Sequence, residues 1–141
     1  MYETTGTLFH KLLDSDDGQA VLHQTHSAPS CSQSIQEFLT RAGIPPSAWI
    51  EAADISRSYG YQILRGERVP GRDILLRTAL ALKLSLRETQ RLLAISSCGA
   101  LYPRIRRDAA VIFAINQGMS LLEAENLLSS LPERGLFTGE S

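Results

Sequence analysis

The chain has 141 residues, 43% apolar and 21% charged, with two cysteines and a formal net charge of −1. That length supports one domain with a real core, and two cysteines do not make a disulfide framework, so reduced thiols are expected. No apolar run approaches the roughly 18 residues that would span a bilayer. The opening MYETTGTLFHKLLDSDD lacks the basic start and apolar stretch of a secretory signal, so the expected location is cytoplasmic.

The near-neutral total conceals a strong segregation of charge. Residues 1–54 carry two basic and seven acidic groups, net −5; residues 55–107 carry eleven basic and three acidic, net +8; residues 108–141 carry one basic and five acidic, net −4. A basic middle between acidic flanks points to an anionic partner. Nearly all of that basic charge is arginine, whose planar guanidinium suits phosphates and guanine edges better than the compact ammonium of lysine.

In chain order, Leu8, Leu12 and Leu13 predict a first helix over 3–14, stopped by the DSDDG cluster. The polar, breaker-rich GQAVLHQTHSAPSCSQ reads as a linker. Ile35, Phe38 and Leu39 predict a helix from about Ser34 to Ala42, ended by Gly43. After the Ile44-Pro45-Pro46 turn comes a short helix with Trp49, Ile50 and Ala53 inward; Ser47 as N-cap and Pro46 as first helical residue are both open. Ser56 caps a helix running to about Arg65, where Gly66 supplies a left-handed end. The loop GERVPGRD leads into ILLRTALALKL, opened by Asp73 or its neighbour. Ser85 with Glu88, and Ser120 with Glu123, match the capping-box spacing before LRETQRLLAI and LLEAENLLSSL. Between these, RIRRDAAVIFAINQG is apolar around most of its circumference, so it must be buried or paired. The tail ERGLFTGES is expected to fray.

No period-2 alternation or hairpin signal competes with this pattern, so the expected fold is an all-α, compact helical domain of about seven helices. Three parts are expected: an N-terminal helix and polar linker over 1–32, a helical domain over 33–95, and a C-terminal helical extension over 96–141 that packs on the core or builds a dimer.

The stretch ISRSYGYQILRGERVPGRDILLRTALALKLS carries a resemblance. It resembles the Xre or lambda-repressor-like helix-turn-helix DNA-binding family in Ile55 and Ser56 before a short helix, Ile63 near its end, then Gly66, Arg68, Pro70 and the run from Leu75 to Ser85. The match covers roughly sixty residues, from about Gln33 to Leu93. It implies a positioning helix over 47–54 and a recognition helix over 56–65 that enters the DNA major groove. Arg57, Ser58, Tyr61 and Gln62 are then the base-contacting candidates. Arginine pairs with guanine O6 and N7, glutamine with adenine N6 and N7, and serine is permissive. Arg65, Arg68 and Arg72 are the charged phosphate-contacting candidates, and Gln33 and Ser47, at helix starts, are the neutral ones. Gly60 departs from the family, which usually has a branched apolar residue there. Either a flanking tyrosine fills the space or a neighbouring backbone comes close. Tyr59 and Tyr61, two apart, cannot share a face, and Tyr61 is the one expected outside.

The implied function is sequence-specific DNA binding by a transcriptional regulator, with double-stranded DNA as partner and no membrane. A homodimer through 103–131 follows from the two-fold sites such proteins commonly bind. The alternative is a helical adaptor or antitoxin-like protein that turns the same surface to a protein partner. Arg107 is expected to pair with Glu88 or Asp108, while Arg104 and Arg106 stay open between pairing and phosphate contact. His23, His26 and Cys31 lack a fourth ligand at plausible spacing, so no metal and no cofactor are expected. Cys98 reads as a small apolar filler. Neither a nucleophile motif nor a phosphate-cradling loop is present, so no enzyme is expected.

Overall fold

The computed structural model describes residues 30–137. The helix expected over 3–14, His23 and His26 lie outside them. Among the described residues there are seven α-helices and no strand.

Helix α1, Cys31–Ala42, starts three residues before the expected Ser34. Cys31, Ser34, Ile35 and Leu39 are all buried, so the inward stripe begins one turn earlier than the polar composition of the segment suggests. Helix α2, Pro46–Ala53, takes the second of its two openings: Pro45 is the N-cap and Pro46 the first helical residue, where its missing N–H costs nothing. Ser47 is therefore the second residue of α2, not its cap. Asp54, left-handed at φ 56°, turns the chain into α3, Arg57–Leu64, whose N-cap Ser56 accepts a hydrogen bond from the Tyr59 amide.

Helix α4, Arg72–Ala81, is the centre of the molecule. Every residue from Asp73 to Leu80 is buried, because α2, α5, α6 and α7 all pack on it. Trp49 of α2 is fully buried against α4, and its indole N–H donates to Thr78 Oγ1 at 3.0 Å, which satisfies the one polar atom that burial would otherwise strand. Helices α5, Leu86–Ile95, and α7, Leu121–Ser130, both open with the expected capping boxes. Each such cap is worth about 1 kcal/mol. Helix α6, Arg106–Gln117, ends at Gly118 with φ 66° and pairs with α7.

One core runs through all seven helices, from Ile35 and Trp49 through Ile63, Leu76 and Leu93 to Val111 and Leu128. Each such side chain contributes about 1.5–3 kcal/mol on full burial. The extension after residue 95 thus packs on the core, and residues 31–137 belong to one compact unit.

The tail differs from expectation over residues 133–137. Leu136 is fully buried. Arg107, itself buried, donates to the carbonyls of Arg134 and Gly135 at 2.8 and 3.0 Å, and Arg77 donates to that of Leu136 at 2.8 Å. Arg77 also lies 4.7 Å from the Phe137 ring centroid. Guanidinium groups taken out of water must find acceptors, and the tail backbone supplies three of them. Arg107 pairs with Asp73 at 3.1 Å, not with Glu88 or Asp108. Glu88 is held by Arg41 at 2.5 Å, and Asp108 by Arg72.

Candidate functional site

Helix α3 has a buried side and an opposite, partly exposed side. Gly60 and Ile63, three residues apart, are buried and face the core. Arg57, Ser58, Tyr61, Gln62 and Arg65 follow the spacing that places residues on the opposite face. Arg57, Ser58 and Arg65 are exposed, while Tyr61 and Gln62 are half-buried. The four base-contacting candidates therefore share one outward face, with Arg65 continuing it. The Arg57 guanidinium lies 5.7 Å from the Tyr61 ring centroid, a cation–π contact that props it at the start of the helix. Tyr59 and Tyr61 do not divide into one core and one solvent residue; both are half-buried and packed against the core.

Neither of the two explanations for Gly60 holds. The space beside it is filled by the side chain of Ile50: a Cβ on Gly60 would sit 2.4 Å from Ile50 Cγ1 and 2.6 Å from Cδ1. The bulk that locks α2 to α3 is supplied by α2, and the glycine receives it. This is a close approach that only glycine allows.

The C-terminal end of α3 is closed by two devices. Glu67 N–H donates to Gln62 O at 2.9 Å and Gly66 N–H to Ile63 O at 3.0 Å, with Gly66 at φ 78°, which is the Schellman arrangement. Leu64 O accepts from Ser32 Oγ at 2.6 Å and from Gln36 Nε2 at 2.5 Å, both on α1. Nothing in the sequence marked Ser32 or Gln36. Only their i, i+4 spacing could have signalled that they act together.

The phosphate-contacting candidates separate into distinct groups. Arg68 is exposed in the loop after α3, next to Val69, which is also exposed. Arg65 is exposed but bonded to Glu67, Nε to Oε2 at 2.8 Å and Nη2 to Oε1 at 3.3 Å; this bond holds the Glu67 carboxyl below its ordinary value. Ser47 and Gln33 are exposed at the starts of α2 and α1. Arg72 differs from its expected role. Its guanidinium donates to Gly99 O, to Ala100 O and to both oxygens of Asp108, at 2.7–3.1 Å. Four N–H donors of five are used inside the fold, so Arg72 ties α4 to α6 and to the segment before it. The sequence could not separate the two roles, since an arginine at a helix start serves either.

Arg104 and Arg106 are exposed, and Arg106 reaches Glu133 only at 4.0 Å. Cys31 is buried, which pushes its thiol pKa up, and burial does the same to half-buried Cys98. Among the described residues no group of three His, Cys, Asp or Glu is placed to hold a metal ion, and no helix is long and apolar enough to cross a membrane. Comparison of the chain with protein-family models, with curated proteins and with solved structures finds no match.

Proposed function

We propose that the chain binds double-stranded DNA sequence-specifically, as a transcriptional regulator, with α3 in the major groove. The observation that carries this is the outward face of α3. Arg57, Ser58, Tyr61 and Gln62 lie together on a short helix whose other side is fixed by Gly60 on Ile50 and by buried Ile63. Arg57 and Gln62 bring the bidentate donors and acceptors that distinguish guanine and adenine edges. Arg68, with Arg65 once it exchanges Glu67 for phosphate, supplies the salt-dependent attraction, and Gln33 and Ser47 add neutral contacts. The role is one of binding, not of catalysis. Enrichment from a random duplex pool tests it directly: the proposal expects a shared motif after a few rounds, and a pool that stays random would sink it.

A homodimer through 103–131 belongs to the same proposal. Among the described residues, four of the five exposed large apolar side chains, Tyr102, Ile105, Phe113 and Leu122, lie on or beside α6 and α7, where a second copy would cover them. Equilibrium sedimentation at roughly tens of micromolar would remove the dimer if only monomer mass appeared.

One observation favours the adaptor reading instead. With Arg72 committed inside the fold and Arg65 bonded to Glu67, Arg57 and Arg68 carry most of the positive charge on this surface. A protein partner would then meet Tyr61 and the Arg57 guanidinium stacked on it, and no duplex would be enriched.

A further inference from the structure

An α-helix leaves its last four carbonyls without intrahelical donors. In α3 three of them are served by the chain that follows: Tyr61 O by the Arg65 amide, Gln62 O by Glu67 and Ile63 O by Gly66. The fourth, Leu64 O, is served from outside by the two α1 side chains. Ser32 Oγ–H donates to it at 2.6 Å, and Gln36 Nε2 donates both to it at 2.5 Å and to Ser32 Oγ at 3.2 Å. Both amide hydrogens of Gln36 and the hydroxyl hydrogen of Ser32 are thus spent on one small network.

These two side chains add little to the core, since Gln36 is exposed and Ser32 half-buried. Their effect is geometric. The anchors behind α3 are apolar: Gly60 on Ile50 and buried Ile63, with half-buried Tyr59, Tyr61 and Leu64 packed beside them. Apolar contacts are non-directional, so they hold the helix on the core more firmly than they fix its roll about its own axis. Leu64 sits about 100° round the axis from Ile63 and about 6 Å beyond Gly60, so bonds from a different helix to its carbonyl resist the rotation. Rolling α3 would swing Arg57, Ser58 and Gln62 together, and bidentate pairing tolerates little misplacement.

We propose that Ser32 and Gln36 are positioning residues for base reading: by holding Leu64 O they set the roll of α3, and through it sequence selectivity, without contacting bases. This rests on the DNA reading above. The test compares wild type, Gln36→Ala, Ser32→Ala with Gln36→Ala, and Ser32→Thr on two duplexes. One duplex is enriched by the wild type, and the other is its scrambled counterpart. Wild type must first prefer the enriched duplex; if it does not, the DNA reading fails and this inference fails with it. Given that preference, the double variant is expected to keep its circular dichroism spectrum and to lose about tenfold in the affinity ratio, the equivalent of one bidentate base contact. Its scrambled-duplex affinity and salt slope should stay unchanged, Gln36→Ala should fall between, and Ser32→Thr, which keeps the hydroxyl, should retain the ratio. An unchanged ratio in the folded variants, or equal losses on both duplexes, would overturn the positioning role while leaving the DNA reading intact.

Discussion

The Cβ that Gly60 lacks would lie 2.4 Å from Ile50 Cγ1, so the α2–α3 contact is built as a branched side chain seated on a glycine. A mid-helix glycine costs about 1 kcal/mol relative to alanine, and forcing bulk into a packed contact costs about 1–3 kcal/mol. Gly60→Ala should therefore destabilise on balance, despite better helix propensity. Ile50→Ala opens the same space, so the double variant should be clearly more stable than the two single losses added together. Denaturant melts of the four proteins measure this. Simple additivity would mean that the two residues do not share the contact.

Arg72→Ala is a stability variant in this structure. The Arg72 side chain keeps 27% of its surface and Asp108 only 4%, and removing one partner of a buried pair costs about 3–5 kcal/mol, with the partial exposure favouring the lower end. Burial alone would raise the Asp108 pKa, but the hydrogen bonds from Arg72 and the Tyr102 amide, with the charges of Arg72 and Arg107, outweigh it and hold the carboxyl below its ordinary value. The folded chain thus keeps Asp108 charged where the unfolded chain would protonate it. That contribution is complete above the ordinary aspartate pKa of about 4 and is lost as the pH falls through the lower folded value. Chemical melts between neutral and strongly acid pH should show the decline only below about pH 4. Asp108→Asn should be less stable at neutral pH and flatter below it. Equal acid sensitivity in both proteins would assign the decline to other carboxylates, with Glu88, lowered by Arg41, the first to examine.

Leu136→Ala should cost about 2–5 kcal/mol, the range for a buried leucine. A fraying tail would show almost no change. Thermal melts distinguish the two.

How much of this was legible follows from which forces are local. The turns and caps at Ser56, Gly66, Ser85 with Glu88, Gly118 and Ser120 with Glu123 depend on a few neighbouring residues, and the structure has them where the spacing put them. Local pattern also placed Arg57, Ser58 and Gln62 on one face. What the pattern could not carry is long-range pairing. Arg72 meets Asp108 thirty-six residues on, and Arg77 meets the Leu136 carbonyl fifty-nine residues on. Such partners are chosen by the packing of α4 against α6 and the tail, which no window of sequence contains. Gly60 failed for the same reason: its meaning lies in Ile50, on another helix.

Within the DNA reading, three exposed positions should behave differently. Gln62→Ala should weaken the preferred duplex by about 1–3 kcal/mol and leave random DNA almost unchanged. Arg68→Ala should weaken all duplexes alike and lower the salt slope by about one unit. Glu67→Gln should strengthen binding to every sequence, because it removes a like charge from phosphate and releases Arg65. Titrations on preferred and random duplexes at several salt concentrations separate them, and identical behaviour of the Gln62 and Arg68 variants would contradict the roles assigned to both.

Fluorescence anisotropy of the purified chain on its enriched duplex and on random duplex, at two salt concentrations, tests whether α3 reads DNA. Tighter binding to the enriched duplex is expected, falling steeply as salt rises and losing its preference in Gln62→Ala. No measurable binding to either duplex at low salt would contradict it and return the outward face of α3 to a protein partner.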